Sequence, residues 1–327
     1  MDHKILKKKI GDNVYMKNIK IVSLIAVSLL FSACSQKEAS VVVVKPVQQV
    51  KVVKPVIVKS VNVTGAAGEL KRLTFGGYEE LVSELSSNGE WLLIDTYSKG
   101  SNKIIQKLNV LNGQKMILTP ANSSNSRAVW SKNDKKIIFT TNRSGSTIAE
   151  SMGVNGESGI KFITNSSLGK ADSANINSAK DDIVFVLNGS ISLIKPNGTQ
   201  IRMFGTGRSP KFSPNGKRIL FIRDDGNYFH IFVMNKNGNS LMQLTSETYN
   251  DYEAVWSPDG KRIAFLSDRS NNHIHLYVMD INGRNLTQLT DGNYNVSSLD
   301  WGDDGYIYFS ANAGGNRDIW RLKPKTK

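Results

Sequence analysis

The sequence predicts an all-β chain whose bulk is a closed ring of six four-stranded antiparallel blades, a six-bladed β-propeller. Three observations carry that expectation. A ten-residue core recurs along the chain, an Asn-Gly pair recurs in step with it, and the last unit lacks one strand that an earlier segment spells.

The core is clearest at Trp256–Phe265, WSPDGKRIAF, and at Phe212–Phe221, FSPNGKRILF. Weaker copies begin at Leu85, Trp130, Ile176 and Trp301, so the six anchors stand 45, 46, 36, 44 and 45 residues apart. Asn-Gly pairs fall between successive anchors at Asn112-Gly113, Asn155-Gly156, Asn197-Gly198, Asn237-Gly238 and Asn282-Gly283. Self-similarity at a period of about 40–45 residues is the signature of blades of four short strands.

Each unit reads as two hairpins. Pro258 suits the first central position of a type I turn and Gly260 supplies the left-handed backbone that closes it. The later Asn-Gly tolerates the same backbone and joins a second pair, as in HLYVMDINGRNLTQLT at His275–Thr290, where apolar residues alternate with the period of two expected of strands. The 36-residue step fits a unit that has lost five residues between Phe185 and Asn197 and four between Asn197 and Phe212, all in loops.

The ends set the blade count. After Trp301 the chain has room for strands at Tyr306–Ser310 and Asp318–Leu322, then stops at Lys327. The missing strand is Glu69–Thr74, ELKRLT, which matches the NLTQLT and LMQLTS segments that finish other units. Pairing of Leu70–Thr74 with Asp318–Leu322 closes the ring and removes the open edges of a linear array. Residues 69–327 then make six blades.

The W-S-P-D-G-K-x-I-x-F core, the S-D-R-S loop at Ser267–Ser270, the Y-V-M-D-x-N-G stretch at Tyr277–Gly283 and the Q-L-T at Gln288–Thr290 resemble the WD40-like repeat of the TolB family, periplasmic propellers of the Tol–Pal system. The resemblance covers residues 69–327, strongest over the last three blades and weakest at Ile176. TolB proteins also carry an α/β domain before the propeller, and here only about 35 residues separate Cys34 from the first strand.

The N-terminus reads as a targeting segment. Lys17 and Lys20 precede the apolar run IVSLIAVSLLFSAC, residues 21–34, which is short for a membrane span and ends in small residues before a cysteine. Phe31-Ser32-Ala33-Cys34 resembles a lipobox, with residues 1–33 as signal peptide and Cys34 as the lipidated first residue of the mature chain. Met16 directly precedes Lys17 and is an alternative start to Met1. Ser35, by resemblance to bacterial lipoproteins, favours the outer membrane. Cys34 is the only cysteine, so no disulfide forms within one chain. Residues 34–68 form a tether in which V-K-P-V occurs twice; Pro46 and Pro55 favour extended backbone, and at about 3.1 Å per residue the reach is on the order of 100 Å.

Charge argues against nucleic acid. Of the formal net charge of +14, residues 1–60 hold eleven Lys against three acids, or +8, which leaves +6 for the ring. No basic stripe interleaved with aromatics is present. Catalysis is not expected either. There is no G-x-S-x-G elbow, the ring's histidines are only His230, His273 and His275, and the H-x-H pair, read as lying on the solvated face of an outer strand, lacks a visible third metal ligand. The Trp anchors suit packing between blades more than sugar stacking, and the S-P-D-G acids are turn residues without a D-x-D-x-D-G calcium loop. No cofactor is implied.

A binding platform is what remains. The connections into each innermost strand converge on one mouth of the central channel and carry Arg127, Asp172, Arg208, Tyr252, Glu253 and Ser297, three or four residues before an anchor. The neighbouring loops between second and third strands add Arg143, Asp224, Asp268 and Arg269. Mixed charge with Tyr and Arg at a concave rim suits a protein or peptide site. Arg208, Tyr252 and Glu253 are expected to lie together. The resemblance implies an envelope protein as partner, a Pal-like peptidoglycan-associated lipoprotein, with the membrane engaged through Cys34. The alternative is a propeller enzyme or carbohydrate-binding ring acting on oligosaccharides.

Overall fold

The computed structural model describes residues 61–97, 102–131, 133–177, 182–270 and 272–325. Six antiparallel sheets of four strands each hold a little over half of them, and turns and loops between the strands hold most of the rest. The first strands of the sheets are Glu80–Leu85, Asn125–Trp130, Ala171–Ile176, Arg208–Phe212, Asp251–Trp256 and Val296–Trp301, and they define blades 1 to 6. Each anchor residue is the last residue of one of these strands. Consecutive first strands touch all the way round, Val296–Trp301 against Glu80–Leu85 included, so they form the inner wall of a closed ring. Cys34 and most of the tether lie outside the described residues.

The repeated residues have local reasons. In S-P-D-G, Ser257 Oγ donates to Asp259 Oδ1 at 2.6 Å and accepts from Arg262 N–H at 2.9 Å, while Gly260 N–H reaches Ser257 O at 2.8 Å. Gly260 sits at φ 67°, where a side chain would be strained. Bonds from Ser257 and the Lys261 N–H hold the Asp259 carboxyl below the usual carboxylate range, as befits a turn residue. Ser86, Ser131 and Ser213 repeat the arrangement with Asn88, Asn133 and Asn215.

The Thr of Q-L-T is a second device. Where the fourth strand peels away, its hydroxyl accepts a third-strand N–H: Ile105 to Thr119, Ala149 to Thr164, Ile231 to Thr245, Leu276 to Thr290 and Ile319 to Thr74, at 2.9 to 3.0 Å. A buried N–H is thereby satisfied where the ladder ends. Blade 3 is built differently. Its second and third strands join through Asn188-Gly189, both with φ > 0 as a tight hairpin requires, and Gly207 alone links its last strand to blade 4. A Cβ at Gly207 would meet Ile191 Cγ1 at 2.8 Å and Phe221 Cδ2 at 2.9 Å. Both shortened connections face the same end of the ring, so the rim is lowest beside blade 3.

Packing between blades rests on the aromatic that closes five of the six cores, with Ile94 in its place in blade 1. Phe139, Phe185, Phe221, Phe265 and Phe309 are fully buried, a burial that stabilises by roughly 1.5–3 kcal/mol for each such side chain. The indoles of Trp130 and Trp256 lie against the preceding blade, donating to Glu84 O and Lys211 O at 3.1 and 3.2 Å.

The ring closes as the sequence predicts. Ala67–Arg72 pairs antiparallel with Asp318–Pro324, with Leu70 opposite Leu322 and Arg72 opposite Trp320. Arg72 also pairs with the buried Asp318 at 2.5 Å. A further pairing precedes this one. Asn62–Val63 lies antiparallel to Thr290–Asp291, Tyr294 donates to Asn62 O at 2.8 Å, and Val61 is buried, so the chain is fastened to blade 5 before it completes blade 6.

Candidate functional site: the charged central channel

All six innermost strands carry a shift of register at the same height, between Val82 and Glu84, Ser126 and Val129, Asp172 and Asn175, Arg208 and Lys211, Asp251 and Ala254, and Val296 and Ser298. A bulge adds an unpaired residue and re-aims side chains. Arg127, Asp172, Arg208, Tyr252, Glu253 and Ser297, expected in loops at the mouth, therefore lie on the strands themselves, at or beside these bulges. Three bulge residues, Arg127, Ser173 and Ser209, have φ of 55°, 54° and 49°, a backbone that costs an L-residue roughly 1–2 kcal/mol. Asp95 holds Arg127 there by accepting its N–H at 3.2 and 2.9 Å. Burial pushes the Asp95 carboxyl up to about 6 against those stabilising bonds.

The bulge aims Arg127 across the mouth. Its Nε lies 3.4 Å from Asp172 in the adjacent blade 3 and its Nη1 lies 3.6 Å from Glu253 in the opposite blade 5. Burial works against the guanidinium's charge, but Glu253, Asp172 and Asp95 outweigh it and raise its pKa above the ordinary Arg value. The Arg127 and Glu253 side chains remain 43% and 31% exposed, so solvent reaches this bridge. Beneath it lies a cavity of about 180 Å³ walled by all six inner strands and floored by Lys211.

Lys211 also lines a second cavity of about 290 Å³ toward the other end, with Glu84, Asn175 and Asp300. These three precede anchors, and each bonds the N–H of the next blade's anchor: Glu84 to Trp130 at 2.6 Å, Asn175 to Phe212 at 2.9 Å, Asp300 to Leu85 at 2.8 Å. Burial pushes Glu84 up to about 8, with Lys211 opposing the rise, and burial raises Asp300 likewise. Position gave no hint of this waist, because an ordinary alternation of strand faces does not survive a bulge.

The other predicted residues separate. Arg208 stacks on Phe229 at 3.7 Å and the Phe229 ring tilts on Tyr252 at 6.2 Å, so these two share one aromatic cluster. Glu253, next to Tyr252 on the strand, faces the channel instead. Asp268 accepts from Asn250 N–H at 2.8 Å and from Tyr252 Oη at 3.2 Å, bracing the blade. Arg269 is 10% exposed, bonds Asp251 at 2.9 Å and lies over Phe265 and Tyr277, within a blade. Ser297 accepts from Arg317 at 2.7 Å. Arg143 pairs with the buried Glu150 at 3.1 Å, and Asp224 Oδ1 accepts Gly226 N–H at 2.8 Å. The H-x-H pair corrects the solvated-face reading: His275 is wholly buried beneath Tyr294, because its strand is the third of four and the Asn62–Val63 pairing covers that end. Burial holds the His275 pKa below its ordinary value. Among the described residues no group of three or more His, Cys, Asp or Glu is placed to hold a metal ion.

Comparison with known proteins follows this geometry. Residues 197–274 match the TolB beta propeller domain, and residues 247–327 match the dipeptidyl peptidase IV N-terminal region. The chain is 32% identical over 91 residues to the uncharacterized peptidase YuxL of Bacillus subtilis (strain 168), a match that spans 27% of this chain and 14% of that protein. In structure it is similar to TolB from Acinetobacter baumannii, with a TM-score of 0.60 and 16% identity over 74% of this chain and 65% of that one. Oligogalacturonate lyase from Vibrio parahaemolyticus aligns with a TM-score of 0.54 and 11% identity over 80% of this chain and 97% of its own. The described residues of this chain form a TolB-like six-bladed β-propeller.

Proposed function

We propose that the chain is a lipid-anchored binding scaffold of the cell envelope, without catalysis of its own, whose channel mouth captures a protein partner. The Arg127 bridge is the observation that carries this reading. Its pairs with Asp172 and Glu253, at 3.4 and 3.6 Å, are partly exposed, and pairs of that kind contribute about 0–1 kcal/mol. They exchange for a partner's groups at little cost. Arg208, Phe229 and Tyr252, on the neighbouring strands of blades 4 and 5, form an Arg and aromatic cluster of the kind in which protein interfaces are enriched. By resemblance to TolB, the partner is a Pal-like lipoprotein. Cys34 and Ser35 support anchoring to the outer membrane.

Crosslinked pull-down from the native envelope tests the mouth. Arg127→Asn combined with Arg208→Glu is expected to lose the partner, while Lys217→Glu combined with Asn282→Asp, on the opposite face, retains it at the same melting temperature. Equal recovery from both places the binding surface elsewhere. For the anchor, Cys34→Ser is expected to release the chain from membranes or leave an uncleaved precursor; unchanged mature mobility and membrane retention refute it. The similarity to oligogalacturonate lyase favours the second reading, a ring acting on oligosaccharides, and depolymerisation of oligogalacturonate by the purified chain would establish it.

A further inference from the structure

We propose that the cavity beneath the Arg127 bridge is a receptor for one carboxylate group carried by a partner polypeptide and seated between Arg127 and Lys211. The inference rests on the reading of this mouth as a protein-binding site and names the chemistry of what enters it.

Three cations, Lys103, Arg127 and Lys211, line the cavity against two carboxylates, Asp95 and Glu253. The two acids differ. Asp95 is already committed, accepting Arg127 N–H through both oxygens and Ser83 Oγ at 3.1 Å. Glu253 lies 3.6 Å from Arg127, well beyond the roughly 2.7–2.9 Å of a tight charge-assisted pair, and is exposed enough to turn away. At the floor, the carboxylates that Lys211 faces, Glu84 and Asp300, are each occupied by a backbone N–H. Burial disfavours the charged form of both Glu84 and Asp300, which weakens their hold on Lys211.

An incoming carboxylate would displace Glu253 at Arg127 and gain Lys211, whereas an incoming ammonium would face both cations. Size selects the carrier. Arg127 spans the opening from blade 2 to blade 5, and the cavity holds about 180 Å³. A slender stem, either an acidic side chain or a chain end, passes beside the guanidinium, whereas a pyranose ring requires Arg127 to move.

The test follows backbone amide shifts of Ser209, Lys211 and Ser297 in the ¹⁵N-labelled full chain. Probes are acetyl-Gly-Glu-Gly-amide for a side-chain carboxylate, acetyl-Gly-Gly-Gly with a free C-terminus, their Gln and Lys counterparts as amides, and galacturonate. Saturable shifts are expected from at least one carboxylate peptide, the tighter of the two identifying the source, and none from the Gln or Lys peptides. Binding is expected to weaken at least about tenfold in Lys211→Met and in Arg127→Asn, and to return in Lys211→Arg. The proposal is overturned if the Gln peptide binds as well as the Glu peptide, if both charge-removing variants bind unchanged, or if galacturonate binds and neither peptide carboxylate does. Partner capture that survives Lys211→Met and resists competition by both carboxylate peptides also overturns it, yet leaves the mouth reading standing. Capture insensitive to Arg127→Asn with Arg208→Glu removes that reading, and the peptide titration still decides the carboxylate site by itself.

Discussion

The mouth and the waist of the central channel are both made of carboxylates facing a basic side chain, and they behave as opposites. At the mouth, Arg127 reaches Asp172 and Glu253 at 3.4 and 3.6 Å with solvent around it. At the waist, Glu84 and Asp300 are partly buried, and each fastens the N–H of the next blade's buried anchor, Trp130 or Leu85, at 2.6 and 2.8 Å. Exposure decides the difference. A screened pair adds little to stability and is free to exchange, whereas removing the acceptor of a buried N–H costs its full desolvation. The ring is thus stitched where carboxylates hold the N–H groups of buried anchors, and adaptable where side chains pair in solvent.

Opening the ring abolishes the comparison, because neither end survives without closure. Deleting residues 61–74 removes the strand paired with Asp318–Pro324; at about 0.5–1.5 kcal/mol per backbone bond the loss is at least about 3 kcal/mol, with an exposed strand edge that favours aggregation. Denaturant unfolding of the truncated chain reads the effect. A melting curve like that of the intact ring would mean closure lies elsewhere.

Truncation at the waist comes next. Glu84→Ala or Asp300→Ala leaves Trp130 or Leu85 N–H without its acceptor, an expected loss of about 1–3 kcal/mol each by urea unfolding. A loss below about 0.5 kcal/mol in both would mean the waist is not a stitch.

Both ends should set a pH dependence, with the higher window at the waist and the lower one at the mouth. Glu84 has its folded pKa raised to about 8 from 4.5, so its contribution is fully present below pH 4.5 and is lost as the pH rises through about 8. Asp95, raised to about 6 from 3.8, adds a loss between pH 3.8 and 6. Melting temperature should therefore decline across these windows, and Glu84→Gln, which keeps an acceptor for Trp130 N–H, should flatten the upper one. An unchanged slope in that variant would assign the titration to another group.

Smallest in stability is the mouth itself. Arg127→Asn, with a residue that tolerates the left-handed backbone, is expected to change unfolding free energy by less than about 0.5 kcal/mol while weakening partner capture roughly tenfold or more. A large stability loss with intact capture would invert the assignment of the two ends.

Much of this was legible in the residues. The six anchors, the turn serines and the Leu70–Thr74 closure follow from local chemistry repeated at a fixed period, since a turn needs its glycine and a strand its alternation wherever they sit. Asn188-Gly189 is an equally plain hairpin signal, out of step with the periodic Asn-Gly pairs, and it marks the tight connection by which blade 3 is shortened. The site was less legible. Arg208 and Tyr252 do share a cluster, but Arg269 and Asp268 are tied within a blade, and Glu84, Lys211 and Asp300 carried no motif at all.

The amino-acid sequence by itself determined the all-β character, the repeat and the number of blades, because turns and strand alternation are local, and it marked the closing strand because one end spells the strand that the other lacks. Only the tertiary structure decided which side chains enter the channel. Bulges arise from pairing between strands and reverse the alternation that a strand's own sequence implies. Lys211 meets Glu84 and Asp300 from three different blades, and Arg127 meets Glu253 across the ring, contacts that exist only once closure has set the width of the channel.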